Sequence, residues 1–386
     1  MEKVDGNYLR VNWVDGMKIN KDRFIDTENA LMQYSHNIGM SGLSPNSYGL
    51  LPASEGEDSV RLMFSLDGQS NVQVKLIKCR AITLGGCLIS ITPEISGFLE
   101  RQGKSLSVNQ SIDDDQTEYL IVLSVNPYKR IPIGDADPNE EPPRHPYAIP
   151  EYSLSIISKQ QANLEEFGAY HLTIGKIVNL EGEQPYLAED FIPPSVSIAS
   201  HPDLVYTHAE IGTFFNALEN YSMSVIHKVY QKKQNNDLAR MVMSLCENTL
   251  QYVGGMITEY RLQDKYAPPV STIAKLMSLA RVIKNSIDIY AGTGKEELLN
   301  YLSDWCDVNQ GAFENALTEM IELNYQHTDI NSALNKVANF SKLMLALYKK
   351  LHELEYIGKK TDSNIFVKEE VIAKPEVKSR RSFLLD

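Results

Sequence analysis

The spacing of apolar residues changes near residue 200 and divides the chain into two patterns. Before this point apolar and polar residues alternate over short stretches, which is typical of strands with one buried face. After it apolar residues recur every three or four positions, as in amphipathic helices. The pattern therefore predicts an α+β, multidomain protein, in which an N-terminal antiparallel β-sandwich at 1–195 precedes a C-terminal α-helical bundle at 196–357.

The first pattern predicts two hairpins and three further strands. Residues 60–66 and 72–76 flank a turn that begins at Asp67-Gly68. Residues 81–84 and 87–91 flank Gly85-Gly86, a pair free to adopt the positive φ of a two-residue turn. Prolines recur from 127 to 150 and predict a long surface loop without regular pairing, because proline lacks a backbone donor. The further strands are predicted at 119–125, 152–157 and 170–177.

The second pattern predicts a set of helices, two of which have heptad spacing. Helices are expected at 206–231, 271–291, 311–325 and 332–357, with breaks at Pro268-Pro269 and at 292–294. A further helix carries the spacing of a coiled-coil seam at Leu238, Val242, Leu245, Thr249, Tyr252 and Met256. Residues 337–354 repeat this spacing. Both stretches fit the core of an intrachain bundle or a seam between copies of the chain, and heptad spacing alone leaves both alternatives open.

Composition excludes several classes of function. The 386 residues carry a net charge of −13, which argues against nucleic acid as a partner because that affinity comes from clustered cations. Four cysteines form neither a disulfide framework nor a CxxC pair, so a reducing cytosol is expected. No apolar run approaches the ~20 residues of a membrane-spanning helix, so no direct membrane insertion is expected.

Candidate chemical motifs are incomplete throughout the chain. The stretch 292–295 ends in Gly-Lys but lacks the earlier glycine and the following Ser or Thr of a phosphate loop. The acidic run 113–115 does not continue into an EF-hand loop, and His201 and His208 have no third metal ligand in register. We therefore expect no catalytic, metal-binding or cofactor-binding residues, and no enzyme activity.

Several short segments resemble one known family. The opening segment Trp13-Val14-Asp15-Gly16-Met17, the turn Tyr48-Gly49-Leu50, the junction segment Phe191-Ile192-Pro193-Pro194 and the helix start Ala267-Pro268-Pro269 are similar to the TssK family of type VI secretion system baseplate subunits. The junction segment is the most specific of these, because it falls where the apolar spacing changes. The resemblance covers roughly residues 8–357.

The resemblance implies a structural role in protein secretion. In that family a β-sandwich shoulder, similar to a phage receptor-binding protein, sits on a helical neck, and three chains form a homotrimer. The trimer links wedge subunits, like TssF and TssG, to the membrane anchor complex at the cytoplasmic, inner face of the cell envelope. The family carries a larger head domain after the neck, whereas here only a flexible tail at 358–386 is expected.

Three sets of interface residues follow from this interpretation. Trp13, Met17 and Phe24 are candidate wedge contacts, although closing the sandwich is an equally good role for Trp13. The heptad residues 238–256 are the candidate trimer seam, and Arg380, Arg381, Phe383 and Leu384 of the tail are candidate membrane-side docking residues. The alternative function is a receptor- or glycan-binding trimeric protein of a phage-tail-like particle.

Overall fold

The computed structural model describes residues 7–53, 57–67, 71–112, 116–160, 167–181, 183–306 and 309–358. The chain divides into two compact units. The first contains Met1–Leu204 together with Gln326–Asn331, and the second contains Val205–Tyr325 and Ser332–Asp386.

The first unit contains two helices and nine strands among its described residues. In chain order these are α1 (Lys21–Ser41), β1 (Gly49–Leu50), β2 (Val60–Leu66), β3 (Asn71–Ile82), β4 (Leu88–Ile91), α2 (Pro93–Arg101), β5 (Ser107–Ser111), β6 (Glu118–Ile133), β7 (Tyr147–Ser158), β8 (His171–Val178) and β9 (Tyr186–Leu187). All strand pairs within the two sheets are antiparallel. The predicted order of antiparallel sheets before helices is confirmed.

The first sheet is built around β3. This strand pairs with β2 and β1 along one edge and with β5 and β4 along the other. Both predicted hairpins form, but the second has a three-residue loop instead of a two-residue turn. Thr83 pairs with Cys87 across the loop, and the N–H of Gly86 donates to the carbonyl of Thr83. Only Gly86 of the glycine pair has positive φ, at 74°, as in a type I turn followed by a bulge.

The second sheet has the strand order β7-β6-β8-β9 and corrects the predicted loop at 127–150. β6 and β7 continue their pairing through this stretch, with Arg130 opposite Pro150 and Pro132 opposite Ala148. β8 pairs with β6 only as far as Ser124, and the N–H of Val125 still donates to the carbonyl of Tyr170. Beyond Val125, β6 pairs with β7 but with no other strand among the described residues. Proline is tolerated on such an open edge. The actual connection spans 134–146.

The two sheets share one apolar core. Leu50, Val74, Leu76 and Ile89 of the first sheet and Ile121 of the second are buried in the same cluster. Alternate residues of β2 also face this cluster, which is the pattern the two-residue period predicts.

The second half of the chain is helical. Its helices are α3 (Pro202–Gln231), α4 (Asp237–Leu262), α5 (Pro269–Asp288), α6 (Lys295–Cys306), α7 (Gln310–Ile321) and α8 (Ile330–Glu353). The predicted helices and both predicted breaks are present. Three helices were not predicted: α1, α2 and α6.

Candidate interaction surface

Helix α1 is the largest feature that the sequence pattern did not predict. Its start is capped by Asn20, whose side chain accepts a hydrogen bond from the Arg23 N–H at 3.1 Å. Asp22 lies in the first turn, where a negative charge complements the helix dipole. The buried residues of the helix are Asn29, Ala30 and His36. One face of α1 is therefore packed against the rest of the first unit.

A contact between two glycines brings α1 against the β3–β4 loop. A Cβ on Gly86 would lie 2.2 Å from the carbonyl oxygen of His36, and a Cβ on Gly39 would lie 3.0 Å from the carbonyl oxygen of Gly86. No larger residue fits at Gly86 without moving the helix backbone. The left-handed turn at Gly86 thus serves both the hairpin and the docking of α1.

Polar contacts hold the same face of α1 to the bulge in β6. Arg130 donates two hydrogen bonds to Oε2 of Glu28, at 2.7 and 3.2 Å, and one to the side chain of Asn29. The imidazole of His36 lies between the rings of Tyr128 and Tyr170, with centroids 6.1 and 5.7 Å away. Burial lowers the pKa of His36, so the neutral imidazole is the form that fits this site.

The opposite face of α1 exposes large apolar side chains. Phe24 is 57 % exposed and Leu31 is 56 % exposed, and Tyr34 and Ile38 are exposed to a similar degree. We call these four residues the α1 stripe. Isolated exposed apolar residues are ordinary on protein surfaces, but a row of them on one helix face indicates an interaction site.

The segment before α1 extends the exposed apolar surface. Trp13 is 46 % exposed, and its ring centroid lies 6.2 Å from that of Phe24. Met17 is half-buried, while Val14 and Ile19 are exposed. Trp13 belongs to neither apolar core cluster. This position outside both cores argues against the alternative in which Trp13 closes the sheets.

Two of the family-like segments lie against each other in the first unit. The N–H of Leu50 donates to the carbonyl of Pro194 at 2.7 Å, and the N–H of Val196 donates back to the carbonyl of Leu50 at 3.0 Å. A Cβ on Gly49 would lie only 1.9 Å from the Pro194 carbonyl oxygen. Glycine is therefore required at position 49 for this approach, which explains one residue of the family-like turn.

Residues 326–331 complete this junction. Nε2 of the buried His327 lies 2.8 Å from the carbonyl oxygen of Tyr48. The side chain of Asn331 accepts from the N–H of Ile192 at 2.9 Å and donates to the carbonyl of Asp190. Asp329 forms an ion pair with Lys159 at 3.4 Å. The junction thus joins three segments that are far apart in the sequence.

The candidate trimer seam on α4 lies inside the helical unit. Leu238, Val242, Leu245, Thr249 and Met256 are buried in one cluster with residues of the other helices, and Tyr252 packs against its edge. The same cluster contains heptad residues of α8, which are Val337, Phe340, Met344, Leu347 and Leu351. Of the two alternatives that the spacing left open, these contacts favour the intrachain core.

The described part of the chain offers few candidate residues for metal binding or nucleophilic catalysis. No group of three or more His, Cys, Asp or Glu residues there is placed to hold a metal ion. All four cysteines are buried thiols, and burial raises the pKa of Cys79 to about 12. Lys295, which follows the glycines at 292–294, pairs with Asp288 at 2.8 Å and Glu314 at 3.2 Å.

Some predicted residues are not covered. The acidic run 113–115 and the docking residues Arg380, Arg381, Phe383 and Leu384 lie outside the described residues. No helix in the described part of the chain is long and apolar enough to cross a membrane.

Comparisons with known proteins return structural similarity only. No family model matches the chain, and no curated protein matches it. Among solved structures, a crystal structure of TssK is 17 % identical, with a TM-score of 0.46 over 89 % of this chain and 70 % of that one. The chain is similar to TssK.

Two further solved structures, both of the type VI secretion system baseplate, show the same similarity. One is a TssK-TssF-TssG baseplate subcomplex of the type VI secretion system, at 16 % identity and a TM-score of 0.47, over 90 % of this chain and 99 % of that one. The other is the baseplate complex of that system, at 14 % identity and a TM-score of 0.49, over 90 % of this chain and 100 % of that one. TssK is a component of the first of these assemblies.

Proposed function

We propose that this protein is a structural baseplate adaptor of a contractile type VI secretion system. It acts as a homotrimer that links wedge subunits, similar to TssF and TssG, to the membrane anchor complex on the cytoplasmic, inner face of the cell envelope. The proposal assigns it no catalytic activity and no cofactor.

One observation carries the proposal. The two segments Tyr48-Gly49-Leu50 and Phe191-Ile192-Pro193-Pro194 were matched to the TssK family separately, from sequence alone. Their backbones are directly hydrogen-bonded, and the glycine of the first is required by the proline carbonyl of the second. Two independent sequence matches that form one contact support a shared origin more strongly than either match does by itself.

The proposed architecture assigns a mechanical role to each part. Residues 1–195 form a β-sandwich shoulder that binds the wedge, residues 196–357 form a helical neck bundle that supplies rigidity, and residues 358–386 contact the anchor. An adaptor of this kind must transmit force without changing shape. The dense apolar core of the helical unit, which includes the fully buried Phe214, Tyr260 and Tyr348, supports such rigidity.

The wedge contact is assigned to Trp13, Met17 and Phe24. Tryptophan and methionine are enriched in the buried centres of protein interfaces, and a half-exposed Trp-Phe pair offers such a centre. The membrane-side contact is assigned to Arg380, Arg381, Phe383 and Leu384, which follow the neck in the sequence.

The test is co-purification with the wedge subunits of the same secretion system. Trp13→Ala is expected to lower wedge binding at least tenfold without changing the unfolding free energy of the protein, because the side chain lies outside the core. The control is Trp305→Ala, which removes the second of the two tryptophans, on α6. Wedge binding that survives Trp13→Ala would remove this residue from the interface, and a wild-type protein that fails to bind the wedge would overturn the proposed function.

A further inference from the structure

Residues 354–358, which follow α8 and which we call the C-terminal strap, are held against the end of α3. Nζ of Lys228 donates to the carbonyls of His352 and Leu354, and Nζ of Lys232 donates to the next carbonyl along the strap. Carbonyls at the C-terminal end of a helix have no partner within the helix. The two lysines of α3 supply these partners and tie the strap to α3.

The loop between α3 and α4 binds the far end of the strap. The N–H of Ile357 donates to Oε1 of the buried Gln234 at 3.0 Å, and Nδ2 of Asn236 donates to the carbonyl of Ile357 at 3.2 Å. Oδ1 of the same Asn236 caps α4 by accepting from the N–H of Ala239 at 2.7 Å. One side chain therefore both begins α4 and holds the strap.

The contacts follow one another in the same order on both partners. Lys228 binds the beginning of the strap, Lys232 binds its second residue, and Gln234 and Asn236 bind its fourth. The strap therefore runs alongside the end of α3 in the same direction as that helix. At its end a Cβ on Gly358 would lie 2.6 Å from Oδ1 of Asn236, so the backbone passes directly beside the loop.

The strap is fastened at points and is not packed along its whole length. Ile357 is its one fully buried apolar side chain, and Glu355 is exposed. A cleft of about 610 Å³ is lined by Met223 and His227 of α3 and by residues 353–355. Segments with few buried apolar contacts and with hydrogen bonds close to water open locally, at a lower free energy than global unfolding.

The turn that positions Gln234 is strained. Lys233 has a φ of 49°, and among the described residues it is the one residue other than glycine with positive φ. Its N–H donates to the carbonyl of Tyr230, and the N–H of Gln234 donates to the carbonyl of Val229, which is a helix end where glycine usually occupies this position. Such strain persists where surrounding contacts determine the backbone, and the strap supplies contacts of this kind.

We infer that the C-terminal strap is a latch, which opens and closes on α3 while the rest of the helical unit stays folded. The closed latch fixes the position and direction in which the chain passes residue 358. The open latch frees that point to turn about the end of α8. If residues 358–386 contact the anchor, the latch sets the direction of this contact. That consequence rests on the proposed function, whereas the latch itself does not.

The first test follows hydrogen exchange by mass spectrometry in the full-length protein. Amides of the strap should exchange at least about tenfold faster than amides around the buried Phe340 in α8. Urea below the unfolding transition should accelerate exchange around Phe340 and leave exchange in the strap nearly unchanged, because only global unfolding exposes much new surface. Equal urea dependence in both places would overturn the latch, since the strap would then open only with the whole unit.

Two matched substitutions separate local opening from global opening. Lys228→Met removes two charged hydrogen bonds to the end of α8 and the strap, and should raise the exchange rate of the strap at least about tenfold. Lys275→Met removes the partner of the buried Asp264 between α4 and α5. It should accelerate exchange around Phe340 without changing exchange in the strap. A strap that follows Phe340 in Lys275→Met, or that ignores Lys228→Met, would overturn the latch.

The second test measures the position of the strap directly. Spin labels on Asn235→Cys and Glu355→Cys occupy two exposed positions, one in the loop and one in the strap, whereas the four native cysteines are buried. Electron spin resonance should give one narrow distance distribution, and adding Lys228→Met should broaden it. A broad distribution with Lys228 in place would contradict a closed latch, and a narrow one that persists in Lys228→Met would contradict its opening.

The outcomes separate this inference from the proposed function, because neither measurement requires a partner protein. A strap that opens locally in a protein that does not bind wedge subunits would support the latch and overturn the adaptor role. A strap that exchanges only together with the helical unit would overturn the latch and leave the adaptor role in place.

Discussion

The hydroxyl oxygens of Thr249 and Tyr348 lie 2.6 Å apart in the apolar core of the helical unit. Thr249 also donates to the carbonyl of Leu245 at 2.9 Å, so it accepts the proton of Tyr348. Both side chains are fully buried. The polar position of the α4 heptad is thus satisfied within one chain.

This pairing predicts an asymmetric effect of two substitutions. Tyr348→Phe removes a donor and leaves Thr249 bonded to its own helix, so it should cost about 1 kcal/mol of unfolding free energy. Thr249→Val leaves the Tyr348 hydroxyl buried without this acceptor and should cost more, about 2 kcal/mol. Urea unfolding measures both. Neither variant should change the mass of the assembly. A change in mass with Thr249→Val would indicate that α4 packs between copies after all.

The contact between Gly86 and α1 predicts a second pair of effects. Gly86 and Gly103 both have positive φ, at 74° and 70°, but a Cβ on Gly103 would meet no atom within 4 Å. Gly103→Ala therefore costs only the left-handed strain of about 1–2 kcal/mol. Gly86→Ala adds a clash with the His36 carbonyl and should cost more, while trypsin cleavage at Arg23 becomes faster. Equal losses in the two variants would show that α1 does not depend on this contact.

Two lysines of α5 should differ in their contribution to stability. Lys275 pairs at 2.8 Å with Asp264, whose side chain is almost fully buried, and Thr272 also donates to that carboxylate. Lys275→Met leaves the buried charge largely unpaired and should cost about 3 kcal/mol. Lys284→Met breaks an exposed pair with Asp288 and should cost about 0.5 kcal/mol. Chemical denaturation of both variants checks the difference, and a similar loss in each would contradict the role of Asp264.

The buried His327 predicts a dependence of stability on pH. Burial lowers the pKa of His327 below its usual value of 6.5, although its bond to the Tyr48 carbonyl partly opposes this. Below pH 6.5 the unfolded chain binds more protons at this residue than the folded chain does. The stabilisation is therefore complete above pH 6.5 and is lost as the pH falls, with a slope of at most about 1.4 kcal/mol per pH unit.

The variant His327→Gln tests this dependence, because glutamine keeps an N–H donor for Tyr48 but does not titrate. Unfolding free energies at several pH values between 5 and 7 should fall less steeply on acidification than in the wild type. The exposed His227→Gln controls for the removal of one histidine and should keep the wild-type slope. If the unfolding free energy of His327→Gln fell as steeply with acidification as that of the wild type, other buried histidines would be responsible for the pH dependence.

The parts of the fold that sequence patterns predicted are those with one buried face. Alternation placed β2 and β3 correctly, and helical spacing located α4 and α8, because each has its apolar residues on a single side. Helix α1 was missed because its attached side buries the polar residues Asn29 and His36, while large apolar residues are exposed on its other side, so the apolar spacing does not mark the buried face. Its cap at Asn20, followed by Asp22, was a usable signal.

Other features depend on tertiary context. Pro132 and Pro150 looked incompatible with strands, but they lie where the β6–β7 ribbon has an open edge. Heptad spacing located the seam residues of α4 without saying whether the same chain or a copy covers them, since both use the same helix geometry. The sequence alone identified Trp13 as a candidate contact. The exposed residues of α1 could be recognised as one surface only once the helix was known.

The most direct test of the central claim is the mass of the complex formed when this chain is co-expressed with the wedge subunits of its own secretion system. Native mass spectrometry should find copies of this chain in multiples of three bound to the wedge, and Trp13→Ala should abolish the complex while leaving the free trimer intact. A chain that stays apart from the wedge at micromolar concentrations would contradict the adaptor role.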